Sequence, residues 1–134
     1  MAIEAEVDRK AGAIRVHRVG CAHDCGLVIN PDAVRAQIEG SILQTLSRAL
    51  HEDVKFDRQR VTSVDFQTYP ILRFSEVPTI AIDLVVRPNE PPLGAGEAAA
   101  TPVGAALANA VFDAAGVRLR TVPFTPDRVR AALV

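Results

Sequence analysis

The chain has 134 residues, a hydrophobic fraction of 49%, a charged fraction of 23% and a formal net charge of -1 at pH 7. This length fits one domain or one segment of a larger domain, and the composition is that of a globular protein rather than a disordered one. The near-neutral charge provides no basic surface for nucleic acid, no apolar stretch is long enough to span a bilayer, and the acidic first ten residues do not resemble a signal peptide.

Two strands and a long helix are predicted in the first fifty residues. The strands are expected over residues 2–7 and 13–22, around a turn in which Gly12 supplies a positive φ. Asn30 is a favourable helix N-cap, and Pro31 suits the first helical position. Apolar residues then recur every fourth position to about residue 51, which predicts one apolar stripe on a helix. The stripe consists of Val34, Ile38, Ile42, Leu46 and Leu50.

Short strands and two further helices are predicted in the rest of the chain. The strands are expected at residues 53–56, 61–66, 79–86 and 117–122. Thr101 is expected to cap a second helix that ends at Gly116, and Thr125 to open a short third helix. The predicted fold class is α+β, with a mixed sheet packed against the two main helices at residues 31–50 and 101–115.

A carboxylate directly follows a glycine-rich turn ahead of the second helix. Gly94 and Gly96 allow the backbone to approach a ligand closely, and Glu97 is then held on a defined turn. The alternative is an ordinary loop in which Glu97 lies favourably near the positive end of a helix dipole. The spacing matches neither a dinucleotide-binding fingerprint nor a P-loop. The residues alone leave both interpretations open.

Two glutamines and a glycine mark a second candidate site inside the first helix. Gln37 and Gln44 are seven residues apart and therefore project from nearly the same face. Gly40 costs about 1 kcal/mol relative to alanine in a helix interior, so a ligand or a neighbouring backbone is expected beside it. Close helix packing with a solvated glutamine pair is the alternative.

The segment Cys-Ala-His-Asp-Cys is the only place that suggests a metal or redox site. Cys21 and Cys25 lack the second ligand pair of a structural zinc site, so no metal ligand is predicted and both are expected to be buried free thiols. His23 and Asp24 are neighbours on a predicted strand, point to opposite faces and are poorly placed to act as an acid/base pair.

Five segments stand in a characteristic order along the chain. They are Cys-Ala-His-Asp-Cys-Gly-Leu-Val-Ile-Asn-Pro-Asp (21–32), Gln-Ile-Glu-Gly (37–40), Tyr-Pro-Ile-Leu-Arg (69–73), Glu-Pro-Pro-Leu-Gly-Ala-Gly-Glu (90–97) and Ala-Leu-Ala-Asn-Ala-Val-Phe-Asp-Ala-Ala-Gly-Val-Arg (106–118). This order resembles the C-terminal part of the molybdopterin-binding large subunit of the xanthine dehydrogenase/aldehyde oxidoreductase family. The chain is most similar to the isoquinoline 1-oxidoreductase β-subunit type.

The resemblance implies a molybdenum hydroxylase that oxidises aldehydes or N-heterocycles with oxygen derived from water. It implies that Glu97 is the general base, that Gln37 lies near the pterin, and that Gly94, Ala95 and Gly96 keep the approach to the cofactor open. The implied cofactor is molybdenum–molybdopterin in its cytosine dinucleotide form, with iron–sulfur clusters on a partner small subunit.

Three departures from the family pattern concern the pocket. Ser41 stands where a glycine or asparagine is frequent, Thr45 replaces a glycine, and an Ala-Ala pair at 98–99 replaces a proline-containing continuation. These departures affect the expected shape of the pocket more than the expected role of Glu97.

Family members of this kind are several times longer than the chain, and their other cofactor segments have no counterpart in it. Residues 1–134 are therefore interpreted as the C-terminal part of a molybdopterin-binding domain: a fragment, one part of a split subunit or a truncated gene product. It is expected to be inactive without the remainder of the large subunit and the iron–sulfur subunit. The alternative is a non-catalytic remnant or assembly module. Both cytoplasm and periplasm remain open as compartments.

Overall fold

A computed structural model describes all 134 residues and contains three strands and three α-helices. In chain order they are β1 (Ala2–Val7), β2 (Ile14–His23), α1 (Pro31–Leu50), β3 (Thr79–Leu84), α2 (Val103–Ala115) and α3 (Pro126–Ala132). One face of the sheet and the two long helices enclose a single apolar core. The predicted α+β class, with a mixed sheet packed against two main helices, is confirmed.

The sheet has the order β1-β2-β3, with β1 antiparallel and β3 parallel to the central strand. Glu4 pairs with Arg18 but Ala5 pairs with Val16, so His17 is an extra residue on β2 and forms a bulge. The bulge shifts the alternation of side chains by one position. Val16 and Val19 are therefore both buried although they are three residues apart, which explains the irregular pattern of this strand in the sequence.

Helix α1 forms as its capping residues and apolar stripe predict. The side chain of Asn30 accepts a hydrogen bond from the backbone of Ala33 at 3.0 Å, and Pro31 occupies the first turn. Ile38, Ile42 and Leu46 are fully buried. Burying side chains of this size contributes about 1.5–3 kcal/mol each, so the stripe is the main attachment of the helix to the sheet.

Two predicted strands in the connection between α1 and β3 are wrong. Residues 53–56 and 61–66 form only one isolated antiparallel bridge, between Phe56 and Val61. The carboxylates of Asp57 and Asp65 each accept backbone N–H groups two and three residues ahead, which favours local turns over a ladder. No third strand lies beside this bridge, and an isolated pair of short strands is only marginally stable.

The connection is held against the end of α1 by side chains. Tyr69 donates from its hydroxyl to Glu52 at 2.7 Å, and the backbone of Leu72 donates to the Ser47 hydroxyl at 3.0 Å. Apart from a short 3₁₀ turn at Phe74–Glu76, residues 67–78 are irregular as predicted. No helix of the chain is long and apolar enough to cross a membrane.

The elements near the C-terminus differ from prediction in two respects. Residues 117–122 do not form a strand, because their backbone pairs with no neighbouring strand and only Leu119 is buried in the core. Helix α2 begins at Val103 with Pro102 as its N-cap residue, so Thr101 is not the cap. The Thr101 hydroxyl instead donates to the carbonyl of Ala98 at 3.0 Å and closes the turn before the helix. The predicted end at Gly116, with a φ of 75°, is confirmed.

Candidate functional site

The loop after β2 and the loop before α2 are joined by backbone hydrogen bonds. The N–H of Leu27 donates to the carbonyl of Glu90 at 3.1 Å, and the N–H of Leu93 donates to the carbonyl of Cys25 at 2.9 Å. Gly26 lies between these bonds with a φ of +68°. A Cβ on Gly26 would be 2.1 Å from the carbonyl oxygen of Pro91, so only glycine permits this approach.

Asp24 fastens the same junction from its outer side. Its carboxylate accepts from the backbone N–H of Gly26 at 3.0 Å and from Arg87 at 3.1 Å, and Arg87 also contacts Glu90 at 3.2 Å. The hydrogen bond from Gly26, and then the one from Arg87, lower the pKa of Asp24 below its ordinary value of 3.8. Asp24 therefore acts as an anion that stabilises the loops, whereas its neighbour His23 is buried on the opposite face of the strand.

The glycine-rich turn is anchored to α1 by one buried hydroxyl. Ser41 donates from Oγ to the carbonyl of Gly96 at 2.8 Å and is itself buried. Gln37 lies one turn earlier on the helix, and its Oε1 is 4.0 Å from where a Cβ on Gly96 would stand. Neither Gly94 nor Gly96 has a positive φ, so neither uses the conformational freedom for which glycine was considered at these positions. Gly96 is instead the point at which the turn meets the helix.

These contacts form the wall of a polar cleft of about 450 Å³ that contains Glu97. The cleft is lined by Gln37, Gly40, Ser41, Gln44, Arg48, Gly96, Glu97 and Ala100. Glu97 is exposed to it, and the carbonyl of Glu97 accepts from the N–H of Ala100 at 2.9 Å in the turn that leads to α2. The structure thus brings together the glutamine pair and the Gly-x-Gly-Glu turn, which lie far apart in the sequence.

A second cleft, of about 420 Å³, shares Gln37 and Gly96 with the first and is mainly apolar. Ala95 lines it together with Leu27, Ile29, Val34 and Leu93, among others. Gly94 lines neither cleft and acts only as part of the turn. The five predicted site residues therefore lie around two adjoining clefts, one polar and one apolar.

Two residues of the polar cleft were missed in the sequence. Ser41 was noted only as a departure from the family pattern, yet its hydroxyl fixes the turn that carries Glu97. Arg48 lies four residues after Gln44 and eleven after Gln37, so helical periodicity alone places it on the same face. Ala99, also a departure, is buried in the core and attaches the other end of the turn.

The cysteines lie beside this site but do not form part of the polar cleft. Cys21 and Cys25 are both buried and unpaired, and burial raises the pKa of the Cys21 thiol above its ordinary value. Cys25 lies two residues beyond the end of β2, so the strand spacing applied to the pair in the sequence does not extend to it. No group of three or more His, Cys, Asp or Glu side chains is arranged to hold a metal ion.

The polar cleft suits a cofactor that presents many hydrogen-bonding atoms, as a pterin does. Gln37 and Gln44 each offer an amide with both donors and an acceptor, and neither is buried. A Cβ added to Gly40 would meet nothing within 4 Å, so the helix has an open notch between the two glutamines. This notch accommodates a neighbouring group rather than a contact within the chain, and the residues present therefore fit a molybdopterin.

Comparisons with known proteins agree with this fit. The family model described as a molybdopterin cofactor-binding domain matches residues 1–78. The chain is 48% identical over 130 residues to a nicotinate dehydrogenase subunit of Pseudomonas putida, which covers 97% of the chain and 11% of the relative. It is 38% identical over 123 residues to the β-subunit of isoquinoline 1-oxidoreductase of Brevundimonas diminuta, covering 92% of the chain and 16% of the relative.

A solved structure shares the fold as well. The crystal structure of quinoline 2-oxidoreductase from Pseudomonas putida 86 superimposes with a TM-score of 0.86 at 34% identity, covering 96% of this chain and 17% of that one. The chain thus spans less than a fifth of the length of each of these relatives. It belongs to the molybdopterin cofactor-binding domain family and is a molybdopterin-binding segment of the xanthine dehydrogenase/aldehyde oxidoreductase type.

Proposed function

We propose that this chain is the part of a molybdenum hydroxylase that carries the general base, Glu97. The assembled enzyme oxidises an aldehyde or an aromatic N-heterocycle with oxygen derived from water. The observation that carries the proposal is the meeting of Gln37, Gly96 and Glu97 at one cleft. The similar proteins described above are named after nicotinate, isoquinoline and quinoline, which favours N-heterocycles as the substrate class.

The residues of the cleft divide the work. Gln37 and Gln44 hold the pterin through their amide groups, at the notch left by Gly40. When bound, the molybdenum–pterin group supplies the two-electron oxidation. Glu97 accepts the proton released as the water-derived oxygen bonds to the substrate carbon, a task suited to a carboxylate within hydrogen-bond reach.

The turn before α2 keeps Glu97 in position for this transfer. Ser41 holds the carbonyl of Gly96 on one side, and the bond from Ala100 to the carbonyl of Glu97 closes the other. A general base gains its effect from being held at the correct distance, so this double attachment supports a catalytic role for Glu97. An unconstrained surface carboxylate would need neither contact.

We further propose that residues 1–134 act as the C-terminal part of a larger molybdopterin-binding domain. The connection between α1 and β3 supports this, because it exposes Phe56, Phe66 and Phe74 by 76%, 77% and 96%. Exposed apolar side chains grouped in this way mark a surface that is covered by protein in the assembly. The remainder of the large subunit is the proposed covering partner, and an iron–sulfur small subunit, acting on a cofactor in its cytosine dinucleotide form, is the proposed route for electrons.

The test is Glu97→Gln in the assembled enzyme, with turnover and molybdenum content measured on the same preparation. The change keeps the volume and removes the proton acceptor, so turnover should fall by about 10²–10⁴-fold while molybdenum content stays unchanged. Glu39→Gln is the matched control, because Glu39 is exposed on helix α1 and does not line the polar cleft. It should leave both quantities unchanged.

Near-normal turnover of Glu97→Gln with full molybdenum content would contradict the catalytic assignment. Glu97 would then be a carboxylate near a helix start, where such charges contribute about 0.3–1 kcal/mol to stability. The chain would in that case fit the alternative of a non-catalytic remnant or assembly module. Gln37→Ala should behave differently from Glu97→Gln and lower cofactor retention before it affects turnover per bound molybdenum.

A further inference from the structure

The polar cleft contains one anionic and one cationic side chain, and they line it together. Glu97 is the anion, and Arg48, on α1, is the cation. Arg48 belongs to none of the ion pairs of the chain, whereas Arg87 and Arg130, for example, are both paired with carboxylates. Its guanidinium group is therefore free to bind an anion that enters the cleft.

The spacing along α1 separates Arg48 from the proposed reaction position. Arg48 follows Ser41, the residue that anchors the Glu97 turn, by seven positions or about 10.5 Å of helix. Gln44 lies between them on the same face and adds an amide N–H donor. The notch at Gly40 leaves this path open. Donors thus extend from the Glu97 end of the cleft towards a cation at the other end.

We propose that Arg48, assisted by Gln44, binds the carboxylate of the substrate and so selects carboxylated N-heterocycles. The proposal rests on the proposed function and adds the substrate subclass. A guanidinium group binds a carboxylate through two parallel hydrogen bonds, which fixes orientation as well as position. Glu97 repels an anionic substituent, so a carboxylate bound at Arg48 turns the opposite edge of the ring towards Glu97.

The same oxyanion chemistry could come from a phosphate of the cofactor's nucleotide. The experiment therefore uses the assembled enzyme with two probes, pyridine-3-carboxylate and its uncharged carboxamide, and includes a measurement of pterin content. Arg48→Gln should raise KM for the carboxylate by about ten- to a hundred-fold, the loss expected for a hydrogen-bonded charge pair. Its kcat, the kinetics with the carboxamide and the pterin content should remain near those of the unmodified enzyme.

Two further variants sharpen the result. Arg48→Lys keeps the charge but loses the paired hydrogen bonds, and should recover part of the affinity for the carboxylate. Arg60→Gln, on an exposed turn outside the cleft, should change neither probe. Direct binding of the carboxylate to the assembled enzyme, measured by calorimetry, should weaken in Arg48→Gln by the same factor as KM.

Three outcomes would overturn the proposal, and they differ from one another. Loss of pterin with equal loss of activity on both probes would place the oxyanion on the cofactor. Unchanged kinetics for both probes, with full pterin content, would make Arg48 a solvated surface residue. Oxidation of neither probe by the unmodified enzyme would remove this substrate class, whereas the proposed function fails separately if Glu97→Gln retains turnover on whichever substrate the enzyme accepts.

Discussion

Ser41 donates a hydrogen bond of 2.8 Å to the carbonyl of Gly96, the residue immediately before the candidate general base. The two residues are 55 positions apart in the sequence. The hydroxyl is buried, so its bond is protected from exchange with water. This single contact joins the helix that carries the glutamine pair to the turn that carries Glu97.

Removing this hydroxyl should affect turnover more than cofactor content. Ser41→Ala leaves the carbonyl of Gly96 without its donor, at a cost of about 0.5–1.5 kcal/mol, and frees the turn. Turnover per bound molybdenum should fall several-fold, and Ser41→Thr, which retains a hydroxyl, should recover it. Ser47→Ala is the matched control, because Ser47 is also buried on α1 but bonds to Leu72 in the connection that follows the helix. It should lower stability to a similar extent without changing turnover; equal losses of turnover in both alanine variants would exclude a positioning role.

The junction between the two loops should not tolerate a side chain at Gly26. Gly26→Ala combines a φ of +68° with a Cβ placed 2.1 Å from the Pro91 carbonyl. Strain and overpacking together should cost about 2–4 kcal/mol. Thermal or urea unfolding of the chain measures this directly, and an unchanged midpoint would show that the junction opens without cost.

Gly40→Ala should have the opposite effect on the chain by itself. Nothing lies within 4 Å of the added Cβ, so the helix should gain about 0.5–1 kcal/mol. In the assembled enzyme the same methyl group would enter the notch proposed for the cofactor, and molybdenum content should fall. A stabilised chain with full molybdenum content would remove the ligand-based explanation for Gly40.

The two cysteines should react only when the chain unfolds. Burial raises the pKa of Cys21 above its ordinary value of 9.0, which leaves the thiol neutral and unreactive at neutral pH. A raised folded-state pKa stabilises the fold below the ordinary value, and this contribution is lost as pH rises through the folded-state value. Iodoacetamide labelling followed by mass spectrometry should modify Cys21 and Cys25 in urea but not in the folded chain. A pair that stays unlabelled in urea until a reductant is added would indicate a disulfide instead.

The chain alone should contain no molybdenum, oxidise no aldehyde and associate with itself. Its exposed apolar connection is the expected contact, so changing Phe56, Phe66 and Phe74 together to serine should shift the chain towards monomer in sedimentation velocity. Phe112→Ser, on α2 and outside this connection, is the control and should not. Metal analysis that finds about one molybdenum per chain would refute the requirement for the remainder of the large subunit.

The sequence was most informative where short-range rules decide the structure. The N-cap at Asn30, the four-residue stripe of α1 and the left-handed end of α2 at Gly116 depend only on residues within one or two turns. The strands expected at residues 53–66 and 117–122 failed because a strand needs a partner, and composition does not show whether a partner is adjacent. The family resemblance supplied the candidate residues Gln37 and Glu97, which spacing alone left ambiguous.

The sequence by itself therefore determined the helices, the first hairpin, the fold class and the family. Tertiary structure alone decided that the Gly96 carbonyl meets Ser41, that Pro91 lies against Gly26, and that Arg48 shares a cleft with Glu97. These relationships join residues that are distant in the sequence. Their distances depend on how the sheet, α1 and the two loops pack together, and no local propensity encodes that packing.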